Sequence, residues 1–199
     1  MMKRSFDFFL AGLGILVTLP LFTVVALLIK IDSAGPVFFR QERMGREFRP
    51  FLIYKFRTMV QDAPSKGGLI TAGHDPRITR IGRLLRMTKI DELPQLFNVL
   101  KGEMSFVGPR PEVRQYVELF DRDYKEILKV RPGITDLASI EYRHETTILG
   151  QSANPDETYV TKILPDKIRL AKEYLGRSSF LYDLSLILRT IFRVLQSKG

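Results

Sequence analysis

From Phe8 to Ile29 the chain is uncharged and strongly apolar. A helix over this run is about 33 Å long, enough to cross the hydrocarbon core of a bilayer. Pro20 stands in its middle, removing a backbone donor and crowding the carbonyl of Leu16. The pattern predicts a helix-break-helix whose arms, each roughly 15–18 Å long, reach about halfway into the core. Lipid cannot satisfy backbone groups freed at such a break, and Thr18 is placed to bond a carbonyl one turn back. Lys3 and Arg4 precede the run, and Lys30, Arg40, Arg43, Arg46 and Arg49 follow it. Positive charge on both flanks predicts two cytoplasmic ends. Residues 1–32 therefore read as a re-entrant membrane anchor and 33–199 as a cytoplasmic domain, with a continuous spanning helix as the alternative. The apolar run exceeds an ordinary signal-peptide h-region and no small-x-small site follows it, which argues against cleavage.

Beyond the anchor the pattern shortens. Val37 to Arg43 and Phe48 to Phe56 read as strands around a turn at Met44-Gly45-Arg46. Residues 61–74 form a polar, glycine-containing loop. Asp75-Pro76 reads as an N-cap followed by proline at the first helical position. In the helix it would open, Ile78, Ile81, Leu84 and Leu85 alternate with Arg77, Arg80, Arg83 and Arg86. Such a basic amphipathic helix suits a membrane surface, and equally a core with solvated arginines. Residues 93–102 read as a short helix, with Pro94 in its first turn and Gly102 closing it. Pro111 to Val130 reads as one helix with a core face, and Ala138 to Tyr142 as a short strand. Phe180, Leu184, Ile187, Leu188, Ile191 and Leu195 make a second amphipathic stripe, with Arg189, Arg193 and Lys198 among them. There is no internal repeat. The predicted class is α+β, a compact helix-rich domain with a small antiparallel sheet and interfacial amphipathic helices.

Charge and composition narrow the chemistry. The chain has 199 residues, 31 Lys and Arg against 22 Asp and Glu, and a net charge of +9. That balance suits nucleic acid, anionic lipid or a phosphorylated substrate. The basic residues lie on apolar-striped helices and no nucleic-acid motif is present, so nucleic acid is not an expected partner. There is no cysteine, hence no disulfide, thiolate chemistry or cysteine metal site. His74 and His144 are the two imidazoles, and their spacing forms no zinc motif. No glycine-rich nucleotide loop of the Rossmann or P-loop kind appears.

The densest chemistry lies in residues 88–111, TKIDELPQLFNVLKGEMSFVGPRP. Asp91 and Glu92 sit where a helix begins, a position that favours ionised carboxylates. They point about 100° apart on a helix and need not share one job. The strand that follows runs into Gly108-Pro109-Arg110-Pro111, a turn whose prolines fix the backbone of one arginine. Carboxylates close to a fixed guanidinium suit magnesium-assisted phosphoryl transfer, although each feature alone is commonly only a cap or a turn. A pyrophosphate needs cations, and Lys55, Arg57, Arg77, Arg110 and Arg131 each lie near a turn or strand end.

Taken together, these strings resemble the bacterial sugar transferase family, the small monotopic phosphoglycosyl transferases. The resemblance runs through Lys3-Arg4-Ser5-Phe6-Asp7, Tyr54-Lys55-Phe56-Arg57-Thr58-Met59, and Asp75-Pro76-Arg77-Ile78-Thr79-Arg80. It continues through the 88–111 block and Val130-Arg131-Pro132-Gly133-Ile134-Thr135. It implies transfer of a phospho-sugar from a UDP-sugar to undecaprenyl phosphate at the cytoplasmic face of the bacterial inner membrane. It also implies Mg2+ held by Asp91 and Glu92, Asp91 as nucleophile forming an aspartyl-phosphosugar, and release of UMP. A homo-oligomer is left open, and a non-catalytic membrane-tethered scaffold is the competing reading. Three positions depart from the family's usual pattern. Leu19 replaces a serine before the proline, Ala171 an aspartate three residues before Tyr174, and Asp136-Leu137 a Gly-Trp or Gly-Leu pair. The last two bear on sugar or nucleotide contacts.

Overall fold

The computed structural model describes residues 2–68 and 70–196; Lys198 lies outside them. The chain opens with α1 (Met2–Asp32), followed by the strands β1 (Phe38–Met44) and β2 (Pro50–Phe56). Next come α2 (Arg80–Thr88), α3 (Gln95–Lys101) and β3 (Ser105–Val107). The second half comprises α4 (Arg114–Leu119), α5 (Asp121–Ile127), β4 (Gly133–Thr135), α6 (Leu137–Glu141), α7 (Glu145–Gly150), α8 (Pro155–Thr158), α9 (Leu164–Arg177) and α10 (Phe180–Leu195). The architecture is mixed and helix-rich with two small sheets.

β1 and β2 pair antiparallel, from Phe38 opposite Phe56 to Met44 opposite Pro50. The hairpin is as predicted, but its connection is a 3-10 turn in which Glu47 and Phe48 adopt left-handed φ values of 58° and 59°. The Glu47 N–H donates to Leu128 O at 2.7 Å, tying this turn to the helical layer. The second sheet was not predicted. β3 and β4 pair in parallel, Ser105 opposite Gly133 and Val107 opposite Thr135. Two glycines permit this approach: a Cβ on Gly133 would lie 2.1 Å from Gly108 N, and one on Gly108 would lie 2.4 Å from Arg131 O.

Four expectations change. The helix-break-helix is not shown: α1 is assigned as one helix through Pro20. Thr18 Oγ1 does donate one turn back, but to Gly14 O at 2.6 Å and not to the carbonyl that Pro20 orphans. Packing on both sides of the proline holds the helix. Ala11 lies with Leu96 and Val99, while Phe22, Val25 and Ile29 lie with Phe56 and Leu85. The Phe22 ring meets Phe56 and Phe97 edge-on at 4.9 and 5.9 Å between centroids. Asp75 does not cap a helix. Its carboxylate is occupied by Arg77, and α2 begins after Thr79, whose Oγ1 accepts the Gly82 N–H at 3.0 Å. The 111–130 helix divides into α4 and α5 at Phe120, whose φ and ψ of −122° and 38° leave the helical region. Residues 138–142 lie in and after α6, which the Asp136 side chain caps, so they are helical and not a strand.

α1 is fastened to the rest of the molecule near both ends. At its start Lys3 Nζ pairs with Asp183 at 2.7 Å and donates to Tyr174 Oη and Val107 O, both at 2.9 Å. Arg4 donates to Val99 O and Leu100 O in α3, at 2.6 and 3.0 Å. The Asp7 carboxylate accepts from Ser105 Oγ at 2.8 Å and the Phe106 N–H at 3.2 Å. At its end Asp32 accepts the Ile81 N–H at 3.0 Å. The Arg57 guanidinium collects the closing carbonyls, Ser33 O at 2.7 Å, Ile29 O at 3.5 Å and Ala34 O. The face turned away exposes Phe9, Leu13, Leu16, Val17, Leu27 and Ile31. Leu84 and Met87 of α2 and Leu181, Leu188, Ile191 and Phe192 of α10 are also exposed, so both amphipathic helices carry outward apolar residues besides their core contacts.

Candidate functional site

α2 ends at Lys89, whose left-handed φ of 59° reverses the chain. Ile90–Glu92 then form a separate 3-10 turn, closed by the Leu93 N–H donating to Ile90 O at 3.1 Å. Pro94 leads into α3, which stops at Gly102 with φ 84°. Asp91 and Glu92 therefore precede α3 instead of forming its first turn. Beside them, β2 contributes Lys55, and the parallel β3/β4 pair supports the turn carrying Arg110. That support is specific: Gly108 N–H donates to Thr135 O at 3.1 Å and Gly133 N–H to Pro109 O at 3.0 Å.

The two carboxylates meet different surroundings. Glu92 Oε1 accepts from Lys55 Nζ at 2.9 Å and from Arg110 Nη2 at 2.6 Å, and Oε2 has one long contact to Arg110 Nη1 at 3.5 Å. Burial pushes its carboxyl up, but Arg110 and Lys55 outweigh that and hold it well below the usual range. Asp91 is 7% exposed, and its Oδ1 has no hydrogen-bond partner among the described residues. Burial pushes its carboxyl up, with Lys55 opposing the rise and the Glu92 charge adding to it. Burial draws the Lys55 ammonium down, against the pull of Glu92. The Glu92 charge raises Arg110 despite burial.

Of the five cations proposed from sequence, Lys55 and Arg110 converge on Glu92. The others hold backbone. Arg57 closes α1 as described. Arg77 pairs with Asp75 at 2.6 Å and donates to Gly68 O and Ile70 O at 2.9 and 3.2 Å, strapping the 61–74 loop. Arg131 Nε donates to Gly102 O at 2.7 Å, at the end of α3.

Two neighbours escaped sequence reasoning. Arg86, read there only as a charge on a helix face, donates from Nε to Thr58 Oγ1 at 2.9 Å. Its guanidinium is lowered by burial, and Asp91 is the strongest charge opposing that shift. Asp136, noted as a departure from the family pattern, is 2% exposed. Its Oδ2 accepts the Arg110 N–H at 3.0 Å and its Oδ1 the Ser139 N–H at 2.7 Å, so it holds the Arg110 backbone while capping α6. Ala171 lines a small cavity behind Arg110 together with Asp136, Ala138 and Lys167. The only sequence signal for Arg86 was its place five residues before Asp91; Asp136 had its position directly after Gly133-Ile134-Thr135.

A hard dication fits part of this arrangement. Magnesium is commonly held by one or two carboxylates plus substrate phosphate, so the pair is enough without a third acidic ligand. No cluster of three or more acidic, His or Cys side chains occurs among the described residues. The unpartnered Asp91 Oδ1 suits such an ion. Glu92 offers Oε2, because its Oε1 already serves two cations.

The family model for bacterial sugar transferases matches residues 1–197. A UDP-N-acetylgalactosamine-undecaprenyl-phosphate N-acetylgalactosaminephosphotransferase of Aeromonas hydrophila is 40% identical over 202 residues, covering 99% of this chain and 44% of that protein. A UDP-glucose:undecaprenyl-phosphate glucose-1-phosphate transferase of Escherichia coli (strain K12) is 36% identical over 204 residues, 100% of this chain and 41% of that protein. The exopolysaccharide production protein PSS of Rhizobium leguminosarum bv. phaseoli is 39% identical, covering 96% of this chain and 93% of its own length. The chain thus spans less than half of the first two relatives and nearly all of the third. With a match from the first residue to near the last and these identities throughout, the chain belongs to the bacterial sugar transferase family.

Proposed function

We propose that this protein transfers a phospho-sugar from a UDP-sugar to undecaprenyl phosphate in two steps. The carrying observation is the division of labour between adjacent carboxylates: Glu92 is clamped by Lys55 and Arg110, while Asp91 Oδ1 has no partner among the described residues. An Asp91 oxygen attacks the phosphorus that bears the sugar, the bond from that phosphorus to the bridging oxygen breaks, and UMP leaves with the electron pair. The product is an aspartyl-phosphosugar. An oxygen of undecaprenyl phosphate then attacks the same phosphorus, the bond to Asp91 breaks, and the carboxylate is regenerated. Splitting one displacement into two gives ping-pong kinetics.

Arg110 and Lys55 supply fixed positive charge where the pyrophosphate arrives, and Asp136 keeps the Arg110 backbone in place. Asp91 and Glu92, the latter through Oε2, would hold Mg2+. The bound ion neutralises phosphate charge that otherwise repels an attacking carboxylate. Arg57, Arg77 and Arg131 serve the site indirectly, through the elements they fasten.

The membrane reading belongs to the same proposal. α1 is the one described helix long and apolar enough to cross a membrane. Because both its ends are fastened to one body, we place both on the cytoplasmic face of the bacterial inner membrane, with the exposed apolar residues of α1, α2 and α10 in or on the lipid. The wild-type chain has no cysteine, so single cysteines at Ser5 and Ser33 can be probed without background. Both are expected to resist an impermeant thiol reagent in intact cells and to react once the membrane is opened. Labelling of either from outside overturns the topology.

The activity is tested by UMP release from a panel of UDP-sugars with Mg2+ and undecaprenyl phosphate. Release that needs Mg2+, together with a labelled sugar phosphate trapped on Asp91 when the acceptor is withheld, is expected. No release from any donor overturns the reading.

A further inference from the structure

Gln95 is 1% exposed, and its Nε2 has no hydrogen-bond partner among the described residues. Buried amides are ordinarily paired. Its neighbour one turn on shows the usual case. Asn98 is 0% exposed, accepts the Tyr54 N–H at 3.0 Å, and donates to Leu52 O and Glu103 Oε2, both at 2.7 Å. Asn98 joins α3 to β2; Gln95, in the same helix, leaves its amide donor unused.

Its position gives that donor a use. Residues 90–95 follow a right-handed path between 3-10 and α geometry, closed by Leu93 N–H to Ile90 O at 3.1 Å and Leu96 N–H to Leu93 O at 3.0 Å. Each residue there advances about 100–120°. Glu92 then lies about 100–120° around from Asp91, and Gln95, one full turn later, about 40–120° around from it. Three residues after Glu92, Gln95 lies in line with Glu92 at the 3-10 limit and between Glu92 and Asp91 at the α limit. Two of the five unpartnered buried side-chain atoms among the described residues, Asp91 Oδ1 and Gln95 Nε2, fall within this one stretch. One is an acceptor and the other a donor.

We propose that Gln95 is a substrate-binding residue whose Nε2–H donates to a non-bridging oxygen of the phosphoryl group held at Asp91. The oxygens of a phosphoryl group only accept hydrogen bonds, and at this position a neutral donor adds a contact without competing with Lys55 and Arg110 for Glu92. The inference rests on the phospho-transfer reading of the site and adds to it a ligand contact made by the helix itself.

The test uses the full chain in detergent or nanodiscs and the UDP-sugar that the wild type cleaves fastest from a glucose, galactose, N-acetylglucosamine and N-acetylgalactosamine panel. Gln95→Met keeps the bulk and removes the donor; Gln95→Glu keeps the shape and replaces the donor with an acceptor. The Nε2 donor has no partner among the described residues, so its loss in Gln95→Met is expected to leave the melting temperature at or above that of the wild type. Its kcat/KM for UMP release is expected to fall about 10- to 100-fold, as for loss of a hydrogen bond to a charged group. Gln95→Glu is expected to fall further. Wild-type kcat/KM in Gln95→Met overturns the proposal. So does a lowered melting temperature or failure to fold, because Gln95 is then a structural residue like Asn98. A wild type that cleaves no donor overturns the phospho-transfer reading and this inference with it, whereas an active wild type with an unaffected variant removes Gln95 alone.

Discussion

Asn98 and Asp91 are seven residues apart, and their surroundings are opposites. Around Asn98 the polar groups are spent: its amide closes bonds to Tyr54, Leu52 and Glu103, beneath the apolar contacts of Leu96, Val99 and Met104. Around Asp91 they are held back. Burial raises its carboxyl, one oxygen has no partner among the described residues, and Lys55 and Arg110 converge on Glu92 next door. An unpaired buried polar group costs about 1–3 kcal/mol, a large share of the roughly 5–15 kcal/mol that holds a domain folded. A sequence keeps such a cost where ligand chemistry repays it. On the proposed reading, the part of α3 around Asn98 carries stability and the turn before the helix carries reactivity.

Asp91→Asn is the sharpest way to break this contrast. It is expected to abolish UMP release, by on the order of a thousandfold or more, and to prevent any trapped adduct. Its melting temperature is expected to hold or rise, because a charge that burial disfavours has been removed. A labelled adduct on the Asn variant sinks the nucleophile assignment. Next is Arg110→Lys, expected to lose roughly a hundredfold in kcat/KM despite its retained charge, since a point charge does not replace a fork of donors. A near-normal rate makes Arg110 structural. Asn98→Leu tests the opposite pole, with an expected loss of about 2–4 kcal/mol by denaturant unfolding as the Tyr54 and Leu52 backbone groups lose their partner. Equal stability there removes the contrast.

The smallest effects are in pH. Glu92 has a depressed carboxyl pKa, so its stabilising contribution is full above the ordinary carboxylate range and is lost as pH falls through the lower, folded value. The stability gap between wild type and Glu92→Gln should therefore persist through mild acid and close only below that range. Asp91 is raised, so without Mg2+ the stability advantage of Asp91→Asn over wild type should be full above the raised value and shrink as pH falls from there through the ordinary aspartate range. An advantage that does not change with pH removes Asp91 as a perturbed group.

Much of this was readable in the chain. Alternation and a glycine turn specified the β1/β2 hairpin, and Pro94 with Gly102 bracketed α3. The string 88–111 contained Asp91, Glu92 and Arg110, and Lys55 was among the five cations placed near a turn or strand end. What escaped is long-range. The strand before Gly108 was read in the chain, but its partner β4, three residues long, has no useful period, and their parallel pairing rests on what Gly108 and Gly133 allow the backbones to do. Proline's local preference said that α1 should break, yet α1 is assigned as one helix through Pro20, with Phe22 two residues on packed against Phe56 and Phe97. Arg57, Arg77 and Arg131 looked alike as cations, and only their carbonyl partners separate them from Lys55 and Arg110. Asp136 had been weighed as a substrate contact, whereas its carboxylate is occupied by the Arg110 and Ser139 N–H groups.

The paired fastenings of α1 bear on how the protein is made. A tether joined at one point can be cut, leaving a domain that still folds. Here Ala11, Phe22, Val25 and Ile29 fill the same cores as Leu96, Phe56 and Leu85, and Lys3, Asp7 and Asp32 meet polar groups on β3, α9, α10 and α2. Trimming α1 would open those cores and strand those partners. Folding of the body therefore waits on its first helix: the shared cores close only when α1 meets α3 and β2, and the partners of Lys3 are complete only once α10 has been made.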